Sequence, residues 1–154
     1  MPDVTIYTDG ACRGNPGPGG WGAVLLFAGH RREIAGGHLE TTNNRMEMLA
    51  VITALRTLKR PCRVTVHSDS RYVVDAMSKG WAKKWRARGW RRNAKEHAAN
   101  PDLWGALLDL CETHEVRFEW VRGHAGDPEN ERCDALAVDA SCREDLTPDP
   151  GYRP

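Results

Sequence analysis

Two short segments of the chain, Val4-Thr5-Ile6-Tyr7-Thr8-Asp9-Gly10 and Val64-Thr65-Val66-His67-Ser68-Asp69-Ser70, share one pattern and both close on an aspartate. If the two run as parallel neighbouring strands, the aspartates stand about 5 Å apart on one face. Carboxylates that close repel and raise each other's pKa unless something positive lies between them, and a divalent cation is the natural resolution. A hard cation takes further oxygen ligands, for which Glu47 and Asp134 are the candidates. Such a set supports metal-assisted hydrolysis, with the carboxylates as ligands. Each residue also has a plainer role open to it. Glu47, three residues after Asn44, could close a box resembling a capping box, Asp134 could lie on a solvated helix face, and Asp9 and Asp69 could be turn residues. His124 sits in Arg122-Gly123-His124-Ala125-Gly126-Asp127, where an imidazole titrating near neutrality suits proton transfer. The other five histidines have no such setting, and no Gly-x-Ser-x-Gly or comparable nucleophile motif occurs.

The elements that must hold these residues follow from periodicity. Residues 3–9 alternate as a strand ending at Asp9, a glycine-rich break follows at 14–20, and strands near 21–27 and 32–39 complete a meander. Residues 64–69 and the alternation of Val116, Phe118 and Trp120 give two more strands. Met48, Val51, Ile52, Leu55 and Leu58 form one apolar stripe of a helix that opens at 41–44 and stops before Pro61. That helix supplies the crossover that parallel strands at 3–9 and 64–69 need. Further helices follow Ser70, follow Pro101-Asp102, and start at Asp127-Pro128 with Cys133, Leu136, Ala137 and Ala140 as the buried stripe. The expectation is a single α/β domain over 1–143 with a mobile tail at 144–154, where periodicity is lost.

Composition narrows the partner. The 154 residues carry a formal charge of +1, yet residues 79–95 hold eight basic side chains and no acidic one. The rest of the chain, +1 less those eight charges, stands at −7, so an acidic body carries one basic appendage suited to a polyanion. Trp81, Trp85 and Trp90 interleave with these charges, adding flat aromatic surface to phosphate neutralisation. Trp81 is expected to pack on the domain more than Trp90. No run approaches the 18 apolar residues of a membrane helix, and the start shows no signal peptide, so a cytoplasmic protein without membrane contact is expected. Five cysteines without a Cys-x-x-Cys pair argue against a disulfide framework or a zinc ribbon.

Taken together, Tyr7-Thr8-Asp9-Gly10, Gly14-Asn15-Pro16-Gly17-Pro18-Gly19-Gly20, Thr41-Thr42-Asn43-Asn44-Arg45-Met46-Glu47, Ser68-Asp69-Ser70, Trp120-Val121-Arg122-Gly123-His124-Ala125-Gly126 and Glu129-Asn130-Glu131-Arg132-Cys133-Asp134 resemble bacterial type 1 ribonuclease H over about residues 3–143. The resemblance implies a ribonuclease H-like fold: a mixed five-stranded sheet with flanking helices and a basic protrusion. It implies an endonuclease that hydrolyses the RNA strand of RNA-DNA hybrids with two Mg2+ ions, Mn2+ being a substitute, and leaves 5′-phosphate and 3′-hydroxyl ends. By position, Asp9, Glu47, Asp69 and Asp134 look like its metal-binding carboxylates and His124 like its loop histidine. Asn15, Thr42 and Asn43 look like its nucleic-acid contacts. A monomer is expected.

Only RNA offers a 2′-hydroxyl in a wide, shallow minor groove, which the glycine-rich stretch and Cys12 to Asn15 could approach closely. With Trp81, Lys83, Lys84, Trp85, Arg86, Arg88 and Trp90 these complete the expected substrate surface. Two rivals remain at this point: a non-catalytic nucleic-acid-binding module, and a polynucleotidyl transferase of the same fold acting on DNA ends.

Overall fold

The computed structural model describes residues 1–123 and 125–154. Strands β1 (Asp3–Cys12), β2 (Gly17–Phe27) and β3 (His30–Thr41) form an antiparallel meander. β4 (Arg63–Ser68) and β5 (Glu115–Trp120) add in parallel on the far side of β1, giving the order β3-β2-β1-β4-β5. The helices are α1 (Asn43–Arg56), α2 (Arg71–Ser78), α3 (Trp81–Ala87), α4 (Pro101–Thr113) and α5 (Pro128–Ser141).

The alternation in β1 and β4 sends Val4, Ile6, Val64 and Val66 to one face, where Met48, Val51, Ile52 and Leu55 of α1 and Leu103, Trp104 and Leu107 of α4 bury them. At about 1.5–3 kcal/mol per buried aliphatic side chain, this layer supplies most of the fold's apolar stabilisation. The opposite face of β1 and β2 is covered by α5, whose Cys133, Ala137 and Ala140 are fully buried. Thr42, Ser70 and Asp127 cap α1, α2 and α5 with their side chains, and Pro128 opens α5.

Two expectations about strands and tail are corrected. The β1 strand does not stop at Asp9 and the glycine run does not break structure: the β1–β2 ladder continues to Cys12 opposite Gly19, which confines the connection to residues 13–16. Glycine serves close approach here, because a Cβ on Gly22 would lie 2.6 Å from Leu136 Cβ and 2.7 Å from the Cys133 carbonyl oxygen of α5. The tail, expected to be mobile, is docked. Leu39 N–H donates to Thr147 O at 2.8 Å, and Asp149 is buried against Thr41 and Arg45. A charge pairing has no periodicity for sequence reading to detect.

The five cysteines are free thiols. Among the described residues no helix is long and apolar enough to cross a membrane.

Candidate active site

The parallel β1–β4 ladder ends at Thr8 opposite Ser68, so Asp9, still within β1, and Asp69, the residue after β4, come next along the two neighbouring strands. Asp9 stays fixed by β1's other edge, paired with Gly22 of β2. Glu47 reaches them because α1 presses directly on β1. A Cβ on Gly10 would lie 2.5 Å from the Glu47 amide nitrogen and 2.9 Å from Glu47 Oε1, so only glycine permits this approach. Gly123 plays the same part on the other side, where a Cβ would stand 2.8 Å from Asp69 Oδ2. The result is that one carboxylate oxygen from each of Asp9, Glu47 and Asp69 lies within 4.8 Å of the other two. Asp134, in the second turn of α5, lines the same cleft of about 380 Å³ but lies outside that tight trio.

The capping role considered for Glu47 does not hold. Thr42 is the cap, its Oγ1 accepting from Arg45 N–H at 3.2 Å, and Glu47 lies a turn further on, 4% exposed. No turn role explains Asp9 either, since it is a paired strand residue and 5% exposed.

These carboxylates carry an unresolved charge. Burial pushes the Asp9 carboxyl well above its ordinary range, a hydrogen bond from Glu47 opposes this, and the charges of Asp69 and Asp134 add to the rise. Burial likewise raises Glu47, followed by the charge of Asp9. Among the described residues no lysine or arginine makes an ion pair with any of the four carboxylates, and Glu47 Oε1 is buried without a hydrogen-bond partner. An all-oxygen donor set with an orphaned buried carboxylate oxygen fits a hard divalent cation.

Around this cleft, the β1–β2 turn is tied to the α1 N-terminus by Asn43 N–H donating to Asn15 Oδ1 at 3.1 Å. That brings Asn15, Thr42 and Asn43 to one rim, while the Cys12 thiol is turned inward to the Gly17 and Thr41 carbonyls. His124 lies outside the described residues.

The basic segment forms a second cleft of about 480 Å³, in which Lys84, Arg88 and Arg92 surround Trp81 and Trp85. Three expectations change there. Arg86 does not face this cleft but is turned onto α4, 2.7 Å from Asp109 and 3.1 Å from Glu112, because α3 and α4 pack side by side. Trp81, expected to pack more than Trp90, is 42% exposed beneath the Lys79 ammonium. Trp85 packs edge-on against Trp104, and Trp90 also packs against the core. Lys83 is exposed on α3.

Two site residues escaped the sequence reading. Arg71, first residue of α2, lines the carboxylate cleft with its guanidinium 3.9 Å above the Trp120 ring, and Trp120 Nε1–H donates to the Asp69 carbonyl at 3.2 Å. The only signals were a basic residue directly after Asp69-Ser70 and an aromatic at the end of β5.

The RNase H family model matches residues 1–142. The chain belongs to the RNase H family. Its relatives include the ribonuclease H of Desulforamulus reducens, 62% identical over 95% of this chain and 92% of that protein. The ribonuclease HI of Synechocystis is 63% identical over 89% and 86%. Among solved structures, LC9-RNase H1, a type 1 RNase H with the type 2 active-site motif, superposes with a TM-score of 0.81 at 37% identity, covering 92% of this chain and 72% of that one. LC11-RNase H1, solved in complex with an RNA/DNA hybrid, gives 0.69 at 26% identity over 89% and 95%. As a member of the RNase H family the chain is an enzyme, a metal-dependent hydrolase with the ribonuclease H fold.

Proposed function

We propose that this chain is an endonuclease that hydrolyses the RNA strand of RNA-DNA hybrids, with Asp9, Glu47, Asp69 and Asp134 holding two Mg2+ ions, or Mn2+ in their place. The observation that carries the reading is the trio of carboxylates within 4.8 Å, two of them buried, with no basic partner among the described residues. When bound, the divalent ions supply an activated water and charge stabilisation at the leaving oxygen. The chain's own residues do the positioning. Asp9 and Glu47 are fixed by the β1 ladder and by the α1–β1 contact at Gly10, so they meet the incoming phosphodiester without rearranging. Asp69 is held by its carbonyl on Trp120 and by the close approach of Gly123. His124 supplies the titratable imidazole that carries the proton of the leaving 3′-oxygen. A bond from the water oxygen to phosphorus forms as the P–O3′ bond breaks, leaving a 5′-phosphate and, once the departing oxygen has taken a proton, a 3′-hydroxyl.

The Asn15, Thr42 and Asn43 rim and Cys12 lie beside the cleft, where short polar groups and backbone amides reach a minor groove and its 2′-hydroxyls. Lys83, Lys84, Arg88, Trp81, Trp85 and Trp90 provide a second contact along the duplex. Residues 1–143 are the catalytic unit, acting as a monomer. The five free thiols suit a reducing compartment, hence the cytoplasm.

The test is cleavage of 5′-labelled RNA as hybrid, duplex RNA and single strand, beside an all-DNA duplex, in Mg2+ or EDTA, for wild type and Asp69→Asn. Cleavage confined to the hybrid, dependent on metal and lost in the variant, is expected. Tight hybrid binding without cleavage under any metal would make the chain a binding module, and cutting of the all-DNA duplex would make it a polynucleotidyl transferase of the same fold.

A further inference from the structure

Arg71 is an anomaly of charge. It lines the cleft that holds Asp9, Glu47, Asp69 and Asp134, yet among the described residues it pairs with none of them, nor with any other carboxylate. A flexible, exposed arginine beside four carboxylates would ordinarily turn to them. What holds it away is Trp120. The guanidinium carbon sits 3.9 Å from the indole centroid, which is face-on stacking distance. The indole is itself anchored, because its Nε1–H donates to the carbonyl of Asp69 at 3.2 Å. Strand β5, the carboxylate strand end and the first residue of α2 are thus locked into one unit at the cleft mouth.

Stacking uses the flat face of a guanidinium and leaves its in-plane N–H donors free, the arrangement that suits a bidentate grip on a phosphate. We infer that Arg71, held on Trp120, is a substrate-positioning residue whose guanidinium grips a backbone phosphate of the nucleic acid at the mouth of the cleavage site. Trp120 has two parts in this. It presents the guanidinium outward, and it keeps that positive charge from folding onto the carboxylates and competing with the cations they bind. The inference rests on the hybrid-cleavage reading of the same cleft.

The experiment compares wild type, Arg71→Ala, Arg71→Lys, Trp120→Leu and Trp120→Phe by steady-state kinetics on a hybrid in Mg2+, and by hybrid binding in EDTA across a salt series, with far-UV circular dichroism to verify folding. Loss of a charge-assisted hydrogen bond raises KM of Arg71→Ala about tenfold, with a smaller effect on kcat. The slope of log affinity against log salt falls by about 0.9, one phosphate contact. Trp120→Leu shows the same KM rise and Arg71→Ala/Trp120→Leu is no worse than the poorer single variant. Trp120→Phe, which keeps a stacking ring but loses the indole donor to Asp69, spares KM and lowers kcat. Arg71→Lys, charged but unable to stack flat, falls between wild type and alanine. An unchanged KM and salt slope in Arg71→Ala would overturn the inference, as would a Trp120→Leu enzyme that binds like wild type. If wild type fails to cut the hybrid while Arg71→Ala still lowers the salt slope, the cleavage reading falls and the phosphate contact stands.

Discussion

The Arg45 guanidinium and the Asp149 carboxylate meet at 2.7 Å with both side chains 2% exposed, joining the first turn of α1 to a residue close to the chain's C-terminal end. Asp102 completes the arrangement with two further bonds to Arg45 at 2.9 and 2.7 Å, and Thr41 Oγ1–H donates to Asp149. Thr41, the last residue of β3, belongs to this network and Thr42, the α1 cap, follows it directly, so the tail braces the segment that carries Asn43 and Glu47. Removing Asp149 leaves a buried guanidinium with one carboxylate where it had two. Asp149→Ala, or truncation after Arg143, is expected to cost about 2–4 kcal/mol in urea unfolding. Wild-type stability in the truncated chain would show that the brace contributes nothing.

The same pair sets part of the acid limit. Burial alone would raise the Asp149 carboxyl, but hydrogen bonds from Arg45 and Thr41 outweigh it and hold the group below its ordinary value of 3.8. Asp102 is lowered in the same way. A folded-state value below the unfolded one means that stability from these groups is complete above about pH 4 and lost as pH falls through the lowered values. Unfolding free energy followed from pH 6 to pH 2 should therefore drop, and Asp149→Asn should flatten that drop. An identical acid limb in the variant would assign it to other groups.

The active-site carboxylates act with the opposite sign. Asp9 is raised by burial and by the charges of Asp69 and Asp134, and Glu47 by burial and the charge of Asp9, so without metal the folded chain holds their protons more tightly than the unfolded chain. Metal-free stability must then fall as pH rises above the ordinary carboxylate range, the reverse of the Asp149 effect. Asp9→Asn is expected to raise the melting temperature in EDTA at neutral pH, to reduce the stabilisation gained on adding Mg2+, and to lower hybrid cleavage at least about 10³-fold. A melting temperature in EDTA that drops on this substitution would show that the trio is stabilising as it stands.

Period-2 alternation in 3–9 and 64–69 made the two parallel strands legible, and with them the juxtaposition of Asp9 and Asp69, although it did not show that β1 runs on past Asp9 to Cys12. Glu47 came from its place near the start of a strongly amphipathic helix, though its register against Gly10 is a tertiary fact that no local pattern encodes. Strand length at Gly17–Gly20 was misread because glycine speaks locally for a break, while here its missing side chain admits α5. Arg86 was counted with its basic neighbours because charge runs carry sign but not direction, and only the α3–α4 packing turns it to Asp109. Arg45, Asp102 and Asp149 lie far apart in sequence and have no shared period, so their network was invisible.

That difference in direction makes the basic segment divisible by experiment. Lys84 and Arg88 line the cleft with Trp81 and Trp85, while Arg86 is occupied by Asp109 and Glu112. Each phosphate contact contributes about 0.9 to the slope of log affinity against log salt. Lys84→Ala/Arg88→Ala should therefore lower the slope for hybrid binding by about 1.8 and weaken affinity at low salt far more than at high salt. Arg86→Ala removes exposed ion pairs worth at most about 1 kcal/mol and should leave the slope where it was. A slope that falls for Arg86→Ala, or stays fixed for the double variant, would mean that substrate binding reorganises α3 against α4 and frees Arg86 from its carboxylates.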